Sequence, residues 1–171
     1  MGPTNEKLII QSASLGMNIN AFQASFRTAK FSRGKKSDYD PDLWKSTIQF
    51  QDYASAQETI AGVQFEISIS FTRGLLTFLQ YFGRPGNGAA GYAAAGHAYE
   101  IITNAMQRSL GQPNNVVDLK SYEAFMAEER MTGGMPDDRW VEAAAQSWPQ
   151  AWIHISENAY GSLSLELRMG S

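Results

Sequence analysis

The sequence predicts an α+β fold: a mainly antiparallel sheet with about four helices packed mostly on one face, strands early, helices in the middle and a hairpin at the C-terminal end. Three observations predict it. Val63, Phe65, Ile67, Ile69 and Phe71 alternate with Gln64, Glu66, Ser68 and Ser70, the period of a strand with one wet face. Tyr99, Ile102 and Met106 recur at helical spacing in the middle of the chain. Ile153 and Ile155, then Leu163, Leu165, Leu167 and Met169, return to period two. One-sided alternation favours an antiparallel sheet over a doubly covered parallel one. Strands, then helices, then strands again favour a sheet with its helices on one side.

Taken in order, Leu8 and Ile10, then Phe22 and Phe26, predict two early strands with Gly16 between them. Ile48 and Phe50, set among Thr47, Gln49 and Gln51, predict the next, and 63–71 the clearest. Leu75, Leu76, Phe78, Leu79 and Phe82 are spaced as a helix. Gly83, Pro85, Gly86, Gly88 and Gly91 then mark a loop between helices. A second helix over 93–110 is stopped by Gly111 and Pro113. A third, over 119–131, turns Tyr122, Phe125 and Met126 inward and ends at Gly133 and Gly134. A fourth is predicted over 136–148. Pro136 suits a first turn, Asp137 and Asp138 sit at the positive end of the helix dipole, and Trp140, Val141, Ala144, Ala145 and Trp148 make its apolar face. Pro149 closes it, and Gly161 marks the turn of the C-terminal hairpin. No linker or repeat divides 1–171, so one domain is expected; Gly170-Ser171 is left outside the fold.

Of the 171 residues, 43% are hydrophobic and 12% aromatic, enough to close one core without staples. Cysteine is absent, which excludes disulfides, thiolate metal centres and a cysteine nucleophile. The net charge of -3 demands neither a nucleic acid nor a membrane, but residues 1–45 hold seven of the 14 basic and only four of the 17 acidic residues. No apolar run reaches the roughly 20 residues of a membrane helix, and the first residues are too polar for a signal peptide. The chain is therefore expected to be soluble and cytoplasmic, or exported without a recognisable signal. No metal or cofactor is expected.

Four groups of residues are candidates for function. Arg27, Lys30, Phe31, Arg33, Lys35 and Lys36 interleave cations with aromatic rings, a composition that neutralises phosphates and stacks on bases, or docks on an acidic partner. The alternative is a solvated segment that blunts an edge strand, with Asp38, Asp40 and Asp42 offsetting its field. Tyr81, Arg84, Asn87 and Tyr92 flank the Gly-rich segment and could form an interaction loop. Trp152 falls out of phase with Ile153 and Ile155, so it and Trp44 are candidate surface anchors; His154 shares the phase of Trp152. The fourth group, Glu128, Glu129 and Arg130 with Tyr99 and His97, would serve an enzyme.

The run Glu128-Glu129-Arg130, followed by Ser156-Glu157-Asn158-Ala159-Tyr160-Gly161-Ser162-Leu163-Ser164, resembles in part the catalytic segment of ribosome-inactivating proteins. That family places a Glu three residues before an Arg on a helix, then an E-N-x-W-G-x-L-S-like stretch. The resemblance implies an N-glycosidase-like hydrolase. The sequence departs from the pattern at Ala127, which stands three before Arg130, and at Tyr160, which stands for the family's Trp. Leu163, Leu165 and Leu167 also alternate as a strand where the family continues as a helix.

The leading reading is a non-catalytic protein–protein interaction or self-assembly module, forming a homo-oligomer or binding a protein partner and no membrane. A nucleic-acid-binding module using 26–36 is the first alternative. A small enzyme with a site built from scattered residues is the second.

Overall fold

A computed structural model describes residues 8–26, 29–40, 45–132, 141–157 and 162–170, with the backbone alone at 33–40, 45–51 and 130–132. Eight strands form one antiparallel sheet: β1 (Lys30–Asp40), β2 (Lys45–Ile60), β3 (Val63–Thr72), β4 (Leu75–Gly83), β5 (Asn115–Val117), β6 (Val141–Trp148), β7 (Ala151–Glu157) and β8 (Leu163–Gly170). Their order across the sheet is β1-β2-β3-β4-β8-β7-β6-β5. Four helices accompany it: α1 (Ile9–Ser12), α2 (Ile19–Ser25), α3 (Gly88–Leu110) and α4 (Tyr122–Thr132).

The core lies between one face of the sheet and the helices. Phe65, Ile67, Ile69 and Phe71 of β3 and Leu163, Leu165, Leu167 and Met169 of β8 are buried there as their alternation predicts. Ile102 and Met106 of α3 meet them from the other side. Residues of opposite parity on the same strands face away from the helices, and Gln64, Glu66 and Ser68 are exposed.

Four expected elements differ. The predicted strands around Ile10 and Phe22 are the helices α1 and α2. Asn18 caps α2 by accepting from the Asn20 N–H at 2.8 Å, and Phe22 and Phe26 stack one turn apart with ring centroids 4.8 Å apart. The predicted helix at 75–82 is β4. It packs Leu76, Leu79 and Tyr81 inward while Phe78 and Phe82 sit half-buried on the other face, and apolar residues on both faces imitate helical spacing. The β3–β4 hairpin turns at Arg73 and Gly74, both with positive φ (54° and 76°), as a tight hairpin requires. The predicted helix at 136–148 is the strand β6 from Val141 onward, while 133–140 with Trp140 lie outside the described residues. A register shift between Glu142 and Ala144 buries Ala143 and Ala144 in succession, and that break in period two mimicked a helix.

The Gly-rich segment therefore joins a strand to a helix. Its last glycines belong to α3, and the connection is only 84–87. Gly91 is required by a close approach: a Cβ there would lie 2.5 Å from the Gly86 carbonyl carbon and oxygen. Gly170, set outside the fold by the sequence reading, closes β8: it pairs with Phe78, and its N–H donates to the Gln150 carbonyl at 2.8 Å.

An alanine inside a helix ordinarily stabilises relative to glycine by about 1 kcal/mol. Gly91→Ala should do the reverse, costing about 1–3 kcal/mol through backbone overlap and lowering Tm by several degrees. Gly96→Ala should cost nothing or stabilise, because its only close neighbour is the tip of the half-exposed Leu119 side chain. Thermal unfolding of both variants checks the pair of signs.

Candidate functional site

The face of the sheet turned away from the helices carries an unusual group of side chains. Strand pairing places Gln80 opposite Arg168, and Arg168 opposite Trp152. One row along, Phe82 lies opposite Glu166 and Glu166 opposite His154. Cross-strand pairs of this kind bring side chains into contact on one face. The Arg168 guanidinium sits 5.5 Å from the Trp152 ring and 6.0 Å from the Phe78 ring, and Arg84 lies 5.5 Å over Phe82. Cations over aromatic faces are attracted by the ring quadrupole.

Glu166 organises the centre of this group. It accepts from the Gln80 amide at 2.5 Å and pairs with Arg168 Nε at 3.3 Å. His154 stands between two carboxylates, with Nε2 3.7 Å from Glu166 and Nδ1 3.8 Å from Glu142, distances at which a protonated imidazole pairs with both. Its ring meets Trp152 edge-on at 4.7 Å. Beside it, towards β5, a 420 Å³ hollow is lined by Glu142, Gln146, Trp152 and His154 and by Val117 from the edge strand. The face thus combines rings, cations and carboxylates, all half-buried or exposed.

The structure disperses the other candidates. Tyr81 is not a surface residue: it is wholly buried, accepts the Ile10 N–H at 3.0 Å and donates to Glu58, whose carboxylate also accepts the Ile9 N–H. Burial first, and the Glu58 charge second, raise its phenol well above the ordinary tyrosine range. Tyr81 and Glu58 therefore hold the first turn of α1 on the sheet. Tyr92 is also buried, stacked on Phe125 at 5.0 Å with its hydroxyl donating to the Lys120 carbonyl at 2.6 Å. Only Arg84 and Asn87 of the expected interaction loop are exposed.

In the basic segment, Lys30 is exposed, but the Phe31 ring packs against Phe22 and Phe71 (6.0 and 6.2 Å) and is half-buried, so it is spent on the core edge. Arg27 lies outside the described residues. Arg33, Lys35 and Lys36 take register positions opposite Asp52, Phe50 and Gln49 on β1. Trp44 also lies outside the described residues.

Among the enzyme candidates, His97 is exposed and Tyr99 buried, two residues apart on α3. Burial first, then the charges of Glu142 and Asp118, push the Tyr99 phenol up. Glu128 pairs with Lys120 at 2.6 Å. Glu129 hydrogen-bonds Glu157, which the sequence named only within the segment 156–164, at the end of β7. Glu157 is 7% exposed, and its carboxyl is pushed up to about 7 by burial and by the Glu129 carboxyl beside it. In the segment 156–164, residues 158–161 lie outside the described residues and Leu163 opens the strand β8. Among the described residues no three His, Asp or Glu side chains gather as metal ligands, and no helix is long and apolar enough to cross a membrane.

No protein-family model matches the chain, and neither does any curated protein or solved structure.

The raised Glu157 carboxyl has a consequence for stability. A group whose folded-state value lies near 7 against an ordinary 4.5 favours folding when protonated. Its contribution is complete below about pH 4.5 and is lost as pH rises through about 7. Glu157→Gln keeps the protonated shape without the titration. Urea unfolding should show the variant gaining on the parent chain by about 1–2 kcal/mol between pH 4.5 and pH 8. A difference independent of pH refutes the assignment.

Proposed function

We propose that this chain is a non-catalytic self-assembly module that pairs with a second copy through the uncovered face of its sheet. The observation that carries this reading is the group Phe78, Trp152 and Arg168 on a sheet face that no described element covers. Rings and guanidinium groups are the residues that anchor interfaces. The face is self-complementary in charge: Arg168, Arg84 and Lys30 share it with Glu66, Glu142 and Glu166, so a two-fold copy can set unlike charges against each other.

Its size suits the role. Six strands from β2 to β6 at about 4.8 Å spacing, the shortest of them β7 with 7 residues, span at least roughly 650 Å², near the roughly 800 Å² per partner of a stable interface. The β1–β2 ribbon adds a second contact. Positions 35–40 and 45–50 pair only with each other among the described residues, and an isolated two-stranded ribbon is marginal in water. Nucleic acid is less well supported, since three carboxylates stand on the same face and Phe31 is spent on the core edge.

Sedimentation velocity from 1 to 100 µM, with and without a 20-nucleotide RNA of mixed sequence, tests this reading. The parent chain should reach a discrete dimer and ignore the RNA. The Phe78→Ser, Trp152→Ala double variant should dissociate at least tenfold more readily with unchanged circular dichroism. A parent chain that stays monomeric throughout refutes self-assembly, and RNA binding that fades with salt favours the nucleic-acid alternative.

A further inference from the structure

At the end of the sheet where β6 turns into β7, two cavities meet around one turn. The first, of 390 Å³, lies between α1, the C-terminal end of α3 and the sheet, and its walls include Ile10, Leu15, Met106, Leu110, Trp148 and Met169. No charged side chain lines it; Ser14, Ser109 and Gln150 are its polar members. Trp148 is fixed as a wall, because its indole N–H donates to the Gly111 carbonyl at 2.9 Å. The second cavity, of 770 Å³, shares Leu15, Trp148, Pro149, Gln150 and Ala151 with the first and opens beyond them towards Arg73, Arg168, Thr72 and Thr77. Two cations and no carboxylate line it.

The geometry points to a binding site for a single-chain anionic amphiphile, its tail in the uncharged cavity and its carboxylate against Arg73 and Arg168. This goes beyond the self-assembly reading and shares Arg168 with the face which that reading pairs. The uncharged walls favour a hydrocarbon tail, since burying apolar surface is favourable and a charge there would stand unpaired. At roughly 30 Å³ per heavy atom, a 390 Å³ cavity accepts a tail of about a dozen atoms. Around Pro149 and Gln150 the chemistry changes from apolar to cationic, as a molecule with a tail and a charged head requires. Arg73 is available for the head. It is exposed on the β3–β4 turn and makes no ion pair among the described residues. The Thr72 and Thr77 hydroxyls, hydrogen-bonded to each other at 3.2 Å, line the wall beside it.

Sodium decanoate, kept below its micellar concentration, is the probe, and decan-1-ol is its neutral counterpart. Titration calorimetry on the full chain should show decanoate binding in the micromolar range, at least threefold tighter than decan-1-ol. Ala13→Phe fills the tail cavity and should weaken binding at least tenfold. Leu110→Trp blocks it from an exposed position, so that a folding defect in the first variant leaves the proposal testable. Arg73→Gln should weaken decanoate at least threefold and leave decan-1-ol unchanged. Absence of decanoate binding to the parent chain overturns the proposal. So does binding that survives Ala13→Phe and Leu110→Trp, or binding that treats decanoate and decan-1-ol alike.

Discussion

The fold rests on the burial of one face, and one face only, of an eight-stranded sheet. Phe65, Ile67, Ile69 and Phe71 from β3 and Leu165 and Leu167 from β8 meet Ile102 and Met106 of α3 in a single apolar layer. Everything else is positioned by that contact. Because strand side chains alternate, each residue committed to the core sends its neighbours to the other side, where Phe78, Phe82, Trp152, His154, Glu166 and Arg168 collect without a covering helix. Rings on an uncovered sheet are a cost to a lone chain in water, which the proposed pairing with a second copy would relieve.

Buried polar groups adjust this layer without replacing it. Glu58 and Tyr81 capture the first N–H groups of α1, which no intrahelical partner could satisfy, and so fasten the N-terminal segment across β2 and β4. The Glu129–Glu157 pair ties α4 to the end of β7, at the cost of a carboxyl pushed up to about 7. The first is an inward-facing hydrogen-bonded anchor and the second a source of pH sensitivity.

How far the sequence revealed this differed by element, for physical reasons. β3 was legible because five consecutive inward positions are apolar and the intervening positions are polar. The β7–β8 hairpin was legible in the same way, and α3 by the helical spacing of Tyr99, Ile102 and Met106. β4 was not, because its outward positions hold Phe78 and Phe82, which lie in the candidate site: apolar residues on both faces erased the amphipathic signal. β6 was hidden by a bulge, and α2 by two phenylalanines whose spacing fits either period. Of the candidate site, Trp152 and His154 stood out by their phase, and Arg84 by its place beside the Gly-rich segment. Their grouping with Gln80 and Phe78 needs β4 to pair with β8, and Gln80 and Glu166 lie 86 residues apart. No local pattern carries that information. Glu157 stood out only as a member of the segment 156–164; its pairing with Glu129 was not legible, because that partner lies on a different element.

The absence of cysteine makes one measurement direct. A single nitroxide introduced by Ser68→Cys, exposed on the uncovered face, reports the distance to the same label on a second copy. Sheets packed face to face lie about 10 Å apart, so the account predicts a short intermolecular dipolar distance at this position and a much longer one from Asn104→Cys on the exposed side of α3. Dipolar modulation from the α3 label alone, or from neither at concentrations where the account requires a dimer, would contradict it.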